Sequence, residues 1–388
     1  MKILYITLAP INSNSSATLR NKALIKGFVE NGNEVDVISI VTPNSNPYFN
    51  GDNKKFIFGN HIILNKNSIN EKNKKQQTSK NAILRKIASK IFHTFSIHDG
   101  SIIHTKKVNS YINNNLQPFY DIIISSSDPK TGHILARNII NNGIKYGKWI
   151  QYWGDPLTLD IATNTFYPKR ILGIKERNLI SNADQIVYVS PFTLEKQCKL
   201  FDSLKEKMFF LPIPYLEEKI YEKPCLKNKI VISYFGDYLS EIRNIVPLFN
   251  TIKSLNSNFS LNIIGNSDLK LKDTANITIL NRIPLEELEK KEQETDVIVC
   301  ILNCKGTQIP GKLYYYAATN KPILVIIDGE NQKELKEYLD GYDRFILCEN
   351  QESSIRQALE QLEFERKLYY PAKQLEASVI AKKFLELN

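Results

Sequence analysis

Gly306-Thr-Gln-Ile-Pro-Gly-Lys-Leu-Tyr-Tyr-Tyr-Ala-Ala-Thr-Asn-Lys-Pro-Ile-Leu324 lies between two apolar runs, Val297 to Leu302 and Ile323 to Ile327. The order is strand, Pro/Gly turn, short helix, strand, with Lys312 at the start of the helix. A helix N-terminus offers unpaired backbone N–H groups, and a lysine beside them suits an anion. The same stretch also fits an ordinary surface βαβ crossover with a solvated lysine. The rest of the chain has to separate the two.

Working outward, the pattern repeats. Residues 1 to 8 form a strand candidate, Asn12 to Ser16 a polar loop, Ala17 to Asn31 a helix with Leu19, Ala23, Leu24 and Phe28 on one face, and Glu34 to Val41 a second strand. Strands follow at Asp121 to Ser125, Lys148 to Tyr152 and Gln185 to Val189, with helices near Thr131 to Asn142 and ending near Ser181. A βαβ opening of this kind predicts a parallel sheet with function at the loops beyond the strand C-termini. A second start follows Leu211-Pro-Ile-Pro-Tyr215 and the charged Glu217 to Lys229. Its strands are Lys229 to Phe235, Ser260 to Ile264, Ile277 to Leu280, Val297 to Leu302, Ile323 to Ile327 and Arg344 to Leu347, with a helix at Asn244 to Leu255.

The chain of 388 residues is too long for one ordinary core. Two consecutive α/β domains joined at the Pro-rich linker are the simplest account, with a ligand in the cleft between them. The expected division is residues 1–212, residues 213–365, and a C-terminal helix over 366–388. The last helical region, Ser354 to Leu387, should be kinked near Tyr370-Pro371. Such a tail can cross back to the first domain or pack as a simple helix pair.

The five cysteines, Cys198, Cys225, Cys300, Cys304 and Cys348, show no CxxC pairing and no histidines at zinc spacing, so they read as reduced and structural. No stretch of about 18 apolar residues is present to span a bilayer. The apolar start, Met1 to Leu8, lacks a small-residue cleavage site and suits a buried strand, which points to the cytoplasm.

The net charge of +10 implies an anionic partner. Between Lys54 and Lys107 there are twelve Lys/Arg and two acids, Glu71 and Asp99. No zinc-finger spacing, RNP-like aromatic motif or helix-turn-helix accompanies them, so no nucleic-acid partner is expected. Residues 44–80 are rich in Asn, Lys and Ser and carry no secondary-structure signal in their middle. Asn81 to Phe95 places Ile83, Leu84, Ile87, Ile91, Phe92 and Phe95 on one stripe with Lys80, Arg85, Lys86 and Lys90 elsewhere. A core-facing surface helix and a basic membrane-surface helix share that pattern.

Tyr120-Asp-Ile-Ile-Ile-Ser125, Trp149-Ile-Gln-Tyr-Trp-Gly-Asp-Pro156, Ala183-Asp-Gln-Ile-Val-Tyr-Val-Ser-Pro191, Ser233-Tyr-Phe-Gly-Asp237, Leu261-Asn-Ile-Ile-Gly265 and Pro310-Gly-Lys-Leu313 occur in that order. With these motifs the sequence resembles a GT-B glycosyltransferase, and within that fold the retaining enzymes of glycosyltransferase family 4, over essentially the whole chain. The resemblance implies α/β architecture with two Rossmann-like doubly wound domains facing a central cleft. It implies a nucleotide-sugar donor held mainly by the C-terminal domain and a saccharide or lipid-linked saccharide acceptor held mainly by the N-terminal domain, in bacterial surface polysaccharide synthesis. Attachment to the inner face of the cell membrane through residues 81–95 would fit that acceptor.

In such enzymes two cations grip the donor diphosphate, and the matching positions are Arg243 and Lys312, the latter followed by Leu313. They can stabilise charge on the departing phosphate, so no metal or other cofactor is expected, and the chain has no Asp-x-Asp motif. Arg243 also fits a surface arginine capping the helix that follows. Gly236 permits close approach of backbone to phosphate, or simply serves a turn. Backbone groups at Arg282 and Ile283 map to the nucleobase contact.

The two glutamates usual in the donor loop are replaced by Thr307 and Tyr315, and Tyr315 can still hydrogen-bond or stack on ribose. The family's histidine after the Tyr-Asp strand falls near Ser126, while His133 lies in the next helix as an ordinary helix-face residue. The N-terminal glycine loop is Asn14-Ser15-Ser16, whose Ser15 and Ser16 hydroxyls and N–H groups can face phosphate or acceptor. Asp155 matches an acidic strand-end position suited to orienting an acceptor hydroxyl, or caps a turn before Pro156. A noncatalytic GT-B module that binds a nucleotide sugar or a partner enzyme is the alternative function. A GT-B epimerase would need clustered acid/base residues that the sequence does not reveal.

Overall fold

The structure, a computed structural model, describes residues 1–46, 49–50, 59–65, 100–105, 116–161, 166–222, 229–255, 258–364 and 367–387. The basic amphipathic segment 81–95 lies outside them. Two compact units divide the chain: Met1–Leu216 with Ala377–Asn388, and Glu217–Glu376. The division from sequence stood at 212, and residues 366–376, assigned there to the tail, cluster with the second unit.

The first unit runs β1 (Lys2–Pro10), α1 (Ser16–Glu30), β2 (Glu34–Ile40), β3 (His61–Ile63), α2 (Ile102–Thr105), β4 (Phe119–Ser126), α3 (Thr131–Asn141), β5 (Lys145–Trp153), α4 (Lys169–Ile180), β6 (Gln185–Tyr188), α5 (Pro191–Leu200) and β7 (Met208–Phe210). Its parallel sheet has the order β3-β2-β1-β4-β5-β6-β7. In register, Ile3 to Thr7 of β1 face Ile122 to Ser126 of β4. Both sheet faces are covered, which is why β1 is an almost unbroken apolar run. Leu24, Ile25 and Phe28 of α1 cover one face over Ile3, Tyr5, Ile124 and Tyr152, while Leu135 and Ile139 of α3 and Leu179 of α4 cover the other.

The second unit runs β8 (Ile230–Phe235), α6 (Val246–Ser254), β9 (Phe259–Ile264), β10 (Ile277–Leu280), α7 (Leu285–Glu294), β11 (Val297–Ile301), α8 (Gly311–Tyr316), β12 (Ile323–Ile327), α9 (Gln332–Asp340), β13 (Ile346–Glu349) and α10 (Glu352–Phe364). Its parallel order is β10-β9-β8-β11-β12-β13. Each sheet therefore reverses winding direction once, between β1 and β4 in the first unit and between β8 and β11 in the second. Ligands in open α/β sheets bind beyond the strand C-termini at such a point. In the second unit that point is flanked by residues 236–245 and 302–310.

The C-terminal region is two helices rather than one kinked helix. After α10 the chain is non-helical through residues 367–372, makes a short turn at Lys373–Leu375, and forms α11 (Ala377–Leu385). The Ala372 N–H donates to the Ala317 carbonyl at 2.9 Å, and Leu375 is fully buried, so the segment is anchored before α11 begins. α11 then completes the core of the first unit: Phe384 meets Phe28 and Tyr152 edge-on, with centroids 5.7 and 5.6 Å away. A side chain on Gly27 of α1 would overlap the backbone of Ala377, so glycine sets the spacing of the two helices.

Gly27→Ala tests that packing. An ordinary helical glycine gains about 1 kcal/mol on becoming alanine. Here overlap with backbone should dominate and lower the unfolding free energy by about 1–3 kcal/mol. An unchanged or higher urea midpoint would contradict the helix contact.

Candidate functional site

In the second unit the turn after β8 gathers Gly236, Arg243 and Lys312. Lys312, on the first turn of α8, directs its Nζ onto the Phe235 carbonyl. Gly236 has φ +142°, and a side chain there would occupy the space taken by Lys312 Nζ. Arg243 donates through Nη1 to the Asp237 carbonyl at 3.2 Å and through Nε to Asn303 Oδ1 at 3.0 Å, and it also reaches the Tyr234 hydroxyl. Both cations thus stand at the sheet's winding reversal and share one backbone turn.

Their partners are neutral. Among the described residues neither Lys312 nor Arg243 forms an ion pair, and each is only partly accessible. Burial first, and then the charge of Arg243, pull the Lys312 ammonium down to about 8. Two neighbouring cations held by carbonyl, amide and hydroxyl groups form a site that an anion completes.

Arg282, expected near the nucleobase, places its guanidinium on the Asp237 carboxylate: Nε donates to Oδ1 at 2.9 Å and Nη2 to Oδ2. The Asn266 N–H also donates to Asp237 Oδ1, at 3.0 Å. Burial opposes ionisation of Asp237, but these donors hold its carboxyl below the usual range. Ile283 is half-buried immediately beyond, ahead of α7.

Two other expected donor residues point elsewhere. Leu313 has no exposed surface, so its side chain belongs to the core and only its backbone is available to a ligand. Tyr315 lies beneath Lys219, whose Nζ is 4.9 Å from the ring centroid. Lys219 pairs with the buried Glu292 at 3.2 Å, and Glu292 also accepts from the Tyr221 and Tyr316 hydroxyls at 2.9 and 3.2 Å. Tyr315 therefore joins a cluster built around one buried carboxylate. Glu292, Lys219, Asn303 and Asp237 carry roles that the sequence reading did not assign, and their only signal was a polar residue near a strand or helix end.

In the first unit Ser15 is the N-cap of α1: its hydroxyl accepts from the Thr18 N–H at 3.3 Å and contacts the Thr18 hydroxyl at 2.9 Å. The Ser15 side chain is thus engaged in capping, whereas Ser16 is exposed on the first turn. Asp155, just beyond β5, faces Asp128 and Asp160 with Lys130 and Arg20 nearby. Lys130 Nζ bridges Asp128 Oδ1 at 3.0 Å and Asp160 Oδ2 at 2.9 Å. The buried Arg20 donates to the Ser127 carbonyl and lies 5.1 Å from the centroid of Tyr152, leaving its Nε without an acceptor. Burial, followed by Asp128 and Asp160, pushes the Asp155 carboxyl up to about 7 against the pull of Lys130 and Arg20. Among the described residues no hydrogen-bond donor meets that carboxyl, so its capping role is absent and its hydrogen-bonding capacity is open.

His133 lies in α3, the helix expected there, with its side chain turned into the core. It is fully buried, contacts the Ser125 hydroxyl through Nδ1 at 2.8 Å and stacks on Trp153 with centroids 4.3 Å apart. Burial, with Lys130 and Arg20 nearby, holds it well below the usual histidine range, so it is a neutral core residue. Among the described residues no cluster of His, Cys, Asp and Glu is arranged to hold a metal ion.

The Asp155 geometry has a measurable sign. Its folded-state pKa lies above that of a free aspartate, so its contribution to stability is fully present below pH 3.8 and is lost progressively as pH rises from there through about 7. Asp155→Asn should therefore raise the thermal midpoint strongly at pH 8 and clearly less at pH 5. Equal shifts at both pH values would show that Asp155 is not held in this environment.

No protein-family model and no curated protein matches this sequence. Solved structures do share its fold. Sucrose-phosphate synthase from Thermosynechococcus elongatus is 13% identical over 100% of this chain and 94% of its own, with a TM-score of 0.57. Anabaena HepE, solved with UDP and glucose, is 10% identical over 99% and 94%, with a TM-score of 0.55. The lipopolysaccharide outer core galactosyltransferase WaaB is 12% identical over 100% and 99%, with a TM-score of 0.52. At these identities the likeness is one of fold: the chain is an α/β protein of GT-B architecture, with one seven-stranded and one six-stranded doubly wound parallel sheet.

Proposed function

We propose that this protein is a glycosyltransferase that moves a sugar from a nucleotide-sugar donor to a saccharide or lipid-linked saccharide. The observation that carries the proposal is the pair Arg243 and Lys312, set on the Phe235–Asp237 turn with neutral hydrogen-bond partners among the described residues. A diphosphate supplies the missing negative charge. As the bond from sugar to phosphate breaks, charge grows on the leaving oxygen, and fixed cations there stabilise the transition state more than the ground state. HepE, which holds UDP and glucose, has the same fold and supports the choice of ligand class.

We assign a retaining course, in agreement with the family that the sequence resembles. The acceptor hydroxyl forms a bond to the anomeric carbon on the face that the phosphate leaves, and the departing phosphate oxygen takes the hydroxyl proton. Arg243 and Lys312 then suffice as ionic equipment in the second unit, without a metal. Asp155, whose carboxyl meets no donor among the described residues, orients the acceptor hydroxyl. Ser16 and the backbone around Arg282 and Ile283 remain the proposed acceptor-side and nucleobase contacts.

Thermal-shift screening with UDP, GDP, CDP and TDP sugars tests the donor site, because a ligand at 100 times its Kd stabilises by about 2.7 kcal/mol. Arg243→Ala and Lys312→Ala should each lower donor turnover about 100-fold or more while leaving the fold intact. Normal turnover in both variants would remove the assignment, and donor binding without transfer or hydrolysis would favour the noncatalytic alternative.

Among the described residues no helix is long and apolar enough to cross a membrane. We place the protein in the cytoplasm, at the inner face of the cell membrane, in the synthesis of a bacterial surface polysaccharide. The basic, amphipathic sequence of residues 81–95 supports that location. Vesicles containing phosphatidylserine should retain the protein at low salt and release it as salt rises. Equal retention on neutral vesicles, or after deletion of 81–95, would exclude this attachment.

A further inference from the structure

An anion site fails if its cations are already neutralised. Two positions beside Arg243 and Lys312 could supply a counter-charge, and among the described residues neither forms an ion pair with them. The first is residue 303, which meets Arg243. Asn303 accepts from Arg243 Nε at 3.0 Å and donates from Nδ2 to the Gln308 carbonyl at 3.1 Å, so both ends of the amide are committed and its orientation is fixed. The neighbouring Cys304 N–H donates to the Ile242 carbonyl at 2.8 Å, which ties the loop after β11 to the segment carrying Arg243. An aspartate of the same size would neutralise Arg243 and face the Gln308 carbonyl without a proton to offer it.

The second position is Asp237. Its backbone carbonyl accepts from Arg243, and its carboxylate acts on the Lys312 charge. The carboxylate is turned aside by Arg282, which takes both oxygens, while Asn266 N–H takes one of them again. The pair is partly exposed, with side chains 44% and 32% accessible, so its contribution to stability is small, about 0–1 kcal/mol. Its effect is orientational: it fixes where a negative charge stands next to a lysine whose hydrogen-bond partner, among the described residues, is a carbonyl.

We propose that Asn303 and Arg282 are positioning residues that keep Arg243 and Lys312 available to a diphosphate, Asn303 as a neutral acceptor and Arg282 as the group that occupies the Asp237 carboxylate. This rests on the donor site described above. The Arg282 side chain then acts through Asp237 rather than by touching the ligand, and the consequence is a specific rescue. Removing Arg282 frees the carboxylate to pair with Lys312. Removing the carboxylate charge as well makes Arg282 dispensable.

The test is calorimetric titration of the full-length chain with UDP, GDP, CDP and TDP, continued with whichever binds most tightly. Arg282→Ala should weaken binding about tenfold, the scale of one charge-assisted contact. Asp237→Asn should bind at least as tightly as wild type, and the double variant Arg282→Ala/Asp237→Asn should return to within about threefold of it. Asn303→Asp should bind more weakly than Asn303→Ala, although only aspartate preserves the bond to Arg243. A double variant as weak as Arg282→Ala would overturn the proposal by making Arg282 a direct ligand contact. Asn303→Asp binding as well as wild type would overturn the role of Asn303. If Asn303→Asp does not fold, the Arg282 and Asp237 arm decides alone. Failure of wild type to bind any of the four nucleotides would instead overturn the donor site itself.

Discussion

The Lys312 ammonium rests on the Phe235 carbonyl in space that any side chain at position 236 would fill. That contact joins the first strand of the second sheet to the short helix after its fourth, across the point where the winding reverses. A lysine so placed has lost part of its hydration and lies close to a second cation, Arg243. The arrangement is electrostatically incomplete on its own. Burying a charge without a counter-ion is unfavourable, and a bound anion is the natural remedy.

The first unit handles the corresponding region differently. Beyond β4 and β5 it assembles Asp128, Asp155 and Asp160 with Lys130 and Arg20. Opposite charges are interleaved, so most of the group compensates itself, and the Asp155 carboxyl meets no donor among the described residues. A mixed cluster suits hydroxyl-bearing ligands, which both give and accept hydrogen bonds, whereas an uncompensated cationic pair suits phosphate. One topology, repeated with different side chains at its strand ends, therefore presents two chemically distinct surfaces. That chemical difference follows from charge composition rather than from fold.

The buried Glu292 bears on the missing donor-loop glutamates. With tyrosine at 315 and threonine at 307, the loop has no acidic side chain at either position. Tyr315 instead packs beneath Lys219, which Glu292 holds from α7. The carboxylate in this neighbourhood is thus supplied by a different helix and is consumed by two tyrosines and a lysine. Its surroundings make it a structural anchor for the segment that opens the second unit.

Local sequence determined the alternation of strands and helices, because parallel strands buried on both faces read as continuous apolar runs and helices carry a periodic stripe. It missed the three-residue strands β3 and β7 and the helices α2, α5, α7 and α9; in α7 Glu292 alone is buried, so no apolar stripe marks it. The helix start singled out Lys312, and the family resemblance added Gly236 and Arg243, because motif order is visible in one dimension. Tertiary structure decided the partners. Asp237 meets Arg282 from 45 residues away, Asn303 meets Arg243 from 60, and α11 closes against Gly27 from the far end of the chain. Periodicity reports which face of an element is buried, but the identity of a charge's partner depends on which distant loop the sheet order brings beside it.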